Sequence, residues 1–127
     1  MEKNSLLEIR KKLDILKSQC KPTDIWHTYI NEDEEMSVFY TQEGIYAVAN
    51  ALDLFIQELI NIDDYNNKKL ISELIRKLIV DLNIINHKYE GMIETNEREE
   101  LVDYIFSVLD TIEFDYTGDI TEQWREW

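Results

Sequence analysis

Only one cysteine, one proline and three glycines occur among the 127 residues, and each scarcity removes a class of protein. A lone Cys20 excludes the intramolecular disulfide framework on which small secreted domains depend. With so little Pro and Gly, and no Ser/Gly-rich stretch, there is no linker at which to divide the chain, so a single domain is expected. No apolar run reaches the roughly 20 residues that span a bilayer. The most apolar stretch, LISELIRKLIV, is interrupted by charges at helical spacing. The opening MEKNSLLEIRKKL has no basic segment followed by an apolar signal core, and the cytoplasm is the expected compartment.

Motifs that carry chemistry are missing too. The two histidines, His27 and His87, are far apart, and HKYE supplies His-x-x-Glu where a di-iron bundle uses Glu-x-x-His on two helices. There is no HExxH, no Cys-x-x-Cys, no calcium-loop spacing in DYTGDITE and no Gly-rich phosphate loop. Cys20 falls on an apolar helical stripe, which reads as a buried thiol rather than a nucleophile. Nothing singles out two of the 27 acids as an acid/base pair. Neither an enzyme nor a bound metal or cofactor is expected.

What the chain does have is charge of one sign and helical periodicity. Its 27 Asp and Glu against 13 Lys and Arg give a formal charge of −14, while 44% hydrophobic residues exclude a disordered acidic tail. So negative a chain is not expected to bind nucleic acid or an anionic membrane directly. The charge is also sorted into blocks. Residues 1–21 hold six basic and three acidic side chains, 22–67 none and ten, 68–88 five and two, and 89–127 two and twelve. Even if the basic blocks pair with the acidic ones, a large negative excess remains to face solvent or a partner.

The apolar spacing predicts an all-α, single-domain bundle of about five helices. Ser5 with Glu8 forms a capping box for a first helix carrying Leu6, Ile9, Leu13, Leu16 and Cys20, which Pro22 ends. A short helix or turn follows from Asp24 to about Ile30. Thr41 caps a central helix built on Ile45, Val48, Leu52, Phe55, Ile56 and Leu59. A long helix then carries Leu70, Ile71, Leu74, Ile75, Leu78, Ile79, Leu82 and Ile85, closed by Gly91 at C′. Asn96 with Glu99 opens a last one on Leu101, Val102, Ile105, Phe106, Leu109 and Ile112. Asp119 and Glu122 are suited to cap a final turn that brings Trp124 and Trp127 onto the body. SVFYT, residues 37–41, has strand propensity but no partner strand.

An acidic helical chain without catalytic residues reads as a binding protein for a basic partner. The candidate partner-binding residues are Glu32, Asp33, Glu34 and Glu35 of NEDEE, then Glu43, Glu97, Glu100, Asp115, Asp119, Glu122 and Trp124. They lie close in sequence to Tyr29, Tyr40, Tyr104, Tyr116 and Trp127, the mixture of carboxylate and aromatic anchor that cationic clefts accept. NEDEE and the C-terminal acids are expected to make one surface.

In size, acidity and helical character, and in its ending GDITEQWREW, the chain resembles the immunity proteins of bacterial contact-dependent growth inhibition and polymorphic-toxin systems. The resemblance implies neutralisation of a cognate toxin, often a nuclease, by tight stoichiometric binding in the producing cell's cytoplasm. It assigns a role and no residue. Two other classes stay open. One is a small helical adaptor or regulatory subunit, for which a homo-oligomer would be supporting evidence; the other is an acidic nucleic-acid mimic that inhibits a nucleic-acid-binding protein.

Overall fold

The Ser5 hydroxyl accepts a hydrogen bond from the Glu8 amide at 3.2 Å, and from that cap α1 runs over Leu6–Gln19. In this computed structural model residues 5–32, 41–89 and 91–127 are described, residues 29–32 by their backbone alone. Pro22 does not end α1, which stops at its C-cap Cys20; it opens α2, Pro22–Glu32. Proline suits that first position because the N–H it lacks is one a helix leaves unpaired anyway. Cys20, expected inside, is exposed, because the helical turn that carries Ile9 and Leu13 inward does not continue to it.

Thr41 caps α3, Gln42–Ile60, its hydroxyl accepting from the Gly44 amide at 3.0 Å. Asn67 does the same for α4, Lys68–Lys88, accepting from the Leu70 amide at 3.2 Å. Of the apolar residues assigned to α4 by spacing, Leu70 is exposed and Leu74 half-buried, while Ile71, Ile75, Leu78, Ile79 and Leu82 are buried. Gly91 lies one position later than expected, two residues past the C-cap Tyr89. Its φ of 76° needs glycine, and its N–H donates to Asn86 O at 2.8 Å.

The fifth helix, α5, is Thr95–Thr111, and the Asn96–Glu99 capping pair does not form; the N-cap is Glu94, which makes no side-chain cap bond. Its start is set from outside the helix instead. Met92 and Ile93 are buried, and the Ile93 amide donates to Asn86 Oδ1 at 2.8 Å, so the chain is already fixed when it reaches Glu94. A 3₁₀ turn, Ile120–Gln123, follows, opened by Asp119, whose carboxylate accepts from the Thr121 amide at 2.9 Å. The described residues are all-helical, with no strand; all of SVFYT but Thr41 lies outside them.

Buried side chains from all five helices join in one contiguous core. At its centre α3 packs against α1, α2 and α4, as its broad apolar surface predicts, and α5 packs against α1 and α2. Trp26 of α2 is fully buried, which removes some 150–250 Å² of a tryptophan side chain from water, about 4–6 kcal/mol of transfer free energy as an upper estimate.

Polar groups close the helix ends. The Arg10 guanidinium donates to Ile60 O at 2.9 Å and Ile62 O at 3.2 Å, and the Tyr65 hydroxyl to Leu59 O at 2.7 Å. Carbonyls at the negative end of α3 thereby gain a cation from α1. Tyr104 donates to Leu16 O at 2.8 Å near the end of α1. Burial, with the Asp53, Cys20 and Asp24 side chains adding to it, pushes its phenol far above the ordinary range, so it remains a donor.

Candidate functional site

Where the basic helices spend their charge decides where acidity is left over. Arg10 pairs with Asp63, Lys21 with Asp53 at 2.6 Å and Lys77 with Glu58 at 2.9 Å, all three acids belonging to residues 22–67. In residues 89–127, Arg125 holds Asp119 at 2.8 Å, and Glu126 faces His87 at 3.7 Å. Glu99, Asp103, Asp110, Asp115 and Glu122 are exposed and hold no ion pair among the described residues. Exposed Asp24, Glu43 and Asp64 of residues 22–67 likewise hold no ion pair among the described residues, but α5 and the segment after it carry five such acids close together in sequence.

Glu99, Asp103, Phe106 and Asp110 follow one another at spacings of four, three and four, which places them on one face of α5. Phe106 is half-buried, and the Tyr116 ring stacks on it with centroids 5.1 Å apart and planes 23° from parallel. The Tyr116 hydroxyl donates to Asp110 Oδ1 at 2.9 Å. Burial and the Asp110 carboxylate raise the Tyr116 pKa, so the phenol stays neutral and keeps that bond. The result is an aromatic pair bordered by carboxylates.

Beside it lies a cleft of about 340 Å³ lined by Arg98, Glu99, Val102, Asp103, Asp119 and Arg125. One wall is α5 and the other the C-terminal segment. Arg125 is tied down by Asp119, by Trp127 O at 2.9 Å and by the Trp127 ring, 5.3 Å from the guanidinium. Burial pushes the Asp119 carboxyl up, but the Thr121 hydroxyl and amide and the Arg125 guanidinium outweigh it and hold the pKa below the ordinary value. Asp119 therefore stays ionised and spends its charge on Arg125.

The residues singled out by sequence are distributed as follows. Glu43, Asp115 and Glu122 are exposed, Glu43 in the first turn of α3 and the other two after α5. Glu100 is half-buried and accepts the Trp26 indole N–H at 3.1 Å, bridging α2 to α5. Glu97 requires correction: at 7% exposure it belongs to the interior. Asp119 and Trp124 are partly buried and hold the C-terminal segment in shape. The Glu32 side chain and Asp33, Glu34 and Glu35 lie outside the described residues, as does the surface they were expected to share with the C-terminal acids.

Among the neighbouring aromatics Tyr104 is core, whereas Tyr116, Trp124 and Trp127 are half-buried; Tyr40 and the Tyr29 side chain lie outside the described residues. Missed by sequence were Glu99, Asp103 and Asp110 as one stripe, with Phe106 in it. The signal is present in their spacing, but the same helical period assigns Phe106 to the core face.

Among the described residues no group of three or more His, Cys, Asp or Glu side chains is arranged to hold a metal ion, and no helix is long and apolar enough to cross a membrane. No protein-family model matches the chain, and neither curated proteins nor solved structures yield a match.

Proposed function

We propose that this chain is an immunity-type inhibitor, a cytoplasmic protein that neutralises a basic toxin domain, of the nuclease class, by covering its cationic cleft. The observation that carries the reading is the stripe Glu99–Asp103–Asp110, which holds no ion pair among the described residues and borders the Phe106–Tyr116 pair. A nuclease that grips phosphates offers the complementary surface. Uncompensated carboxylates steer such a partner into encounter, and a desolvated aromatic pair supplies the slow dissociation that charge alone does not. Asp115 and Glu122 on the adjoining segment extend the same negative field.

The test is co-purification from the native host with this chain as bait at moderate salt, followed by identification of what is held. A basic toxin domain recovered in one-to-one ratio, and inhibited by the chain in a nuclease assay, is the expected outcome. Recovery of the chain alone, or of a non-toxic enzyme, would replace this reading with that of an adaptor or regulatory subunit.

A further inference from the structure

After α5 the last thirteen residues contain one short 3₁₀ turn, yet their polar groups are well satisfied, and the way they are satisfied is informative. Most of the bonds are internal: Asp119 to the Thr121 amide and hydroxyl, Arg125 to Asp119 and to Trp127 O, Gln123 to Ile120 O. These do not tie the segment to the bundle. Three others do: the Tyr116 hydroxyl donates to Asp110 Oδ1 of α5 at 2.9 Å, and two run through Asn83 of α4. Its Nδ2 donates to Trp124 O at 2.8 Å and its Oδ1 accepts from the Glu126 amide at 3.0 Å, so one side-chain amide holds the strap as a neighbouring strand would. Asn83 is buried, at 4% exposure. The Trp127 indole N–H is buried without a partner among the described residues, and it recovers one from water when the segment lifts.

We propose that residues 115–127 form a latch: a strap that docks on α4 through Asn83 and opens, its 3₁₀ turn loosening with it, while the five helices stay folded. Its bearing on function rests on the reading above. Asp115, Tyr116 and Glu122 ride on the strap, so undocking separates them from the stripe on α5, and a partner seated on both holds the latch shut.

The experiment needs no partner, so its failure and the failure of the inhibitor reading are separable. Hydrogen exchange is measured across the full chain and its Asn83→Leu variant, which keeps an apolar-compatible volume in the core but loses both amide bonds. In the parent chain, strap amides are expected to exchange through a smaller opening than α3 amides. In the variant they should exchange roughly ten- to a hundredfold faster while α3 amides are unchanged. Strap and α3 amides accelerating together would overturn the proposal, as would a strap indifferent to the substitution. Should Asn83→Leu lose its helicity, Trp124→Ala, made on the strap itself, is read by the same two criteria.

Discussion

Replacing Asp103 and Asp110 together by asparagine should stabilise the free protein and weaken it as a binder. Both side chains are exposed, and neither lies in the first turn of α5, so no favourable charge at the helix N-terminus is lost. Asp110 sits in the last turn, where a negative charge opposes the helix dipole by about 0.3–1 kcal/mol. Asp103 stands one turn from Glu99, a like-charge pair costing about 0.2–0.5 kcal/mol. Asparagine at 110 still offers Tyr116 an acceptor. The sum is a gain of about 0.5–1.5 kcal/mol, or roughly 2–7 °C in Tm for a chain of this size.

Thermal melts of parent and variant at low ionic strength, repeated in about 0.5 M salt, measure it. Because the gain is relief of exposed repulsion, it should largely disappear where the screening length falls to about 4 Å. Association of the variant with a cationic partner should be several-fold slower at low salt. A variant that melts below the parent, or whose gain persists undiminished in salt, would show that these carboxylates are not an uncompensated stripe.

Gly44→Ala should destabilise the protein although alanine is the better helix former, because the added Cβ would meet Thr41 Oγ1 at 2.8 Å, Met92 Sδ at 3.0 Å and Tyr89 Cγ at 3.2 Å. The first of these is the oxygen that caps α3, and a Tm at or above the parent's would refute the crowding. For Asp119, whose folded pKa is depressed, the sign is fixed: its stabilisation is present above the unfolded value near 3.8 and is lost as pH falls through the lower folded value. Between about pH 5 and pH 2 the parent should therefore lose more stability than Asp119→Asn, by thermal melts at each pH, and parallel curves would refute it.

Much of the fold was legible because its determinants are local. Ser5 and Thr41 are capping residues three positions from the amides they satisfy, and the apolar spacing of α3 and α4 marks their buried faces. The failures have a common cause. Cys20 matched the apolar period of α1 but lies past its last turn, and Pro22 sat between two helices with nothing in its neighbourhood to say which one it served. Asn96 has the spacing of a cap, but the start of α5 was settled by Asn86, a residue of the preceding helix that grips Ile93.

The sequence by itself determined that this protein is helical, strongly acidic and organised in alternating charge blocks, since each of these is a property of composition and of residues a few positions apart. Which acids remain uncompensated was decided by tertiary structure. Arg10, Lys21 and Lys77 reach acids 53, 32 and 19 residues away, and none of these pairings goes to Glu99, Asp103 or Asp110 of α5. The docking of the C-terminal strap likewise depends on Asn83, 41 and 43 residues before the backbone groups it holds. Ion pairs and amide clasps are made by groups that only folding brings within hydrogen-bond reach, and no local pattern in the chain records them.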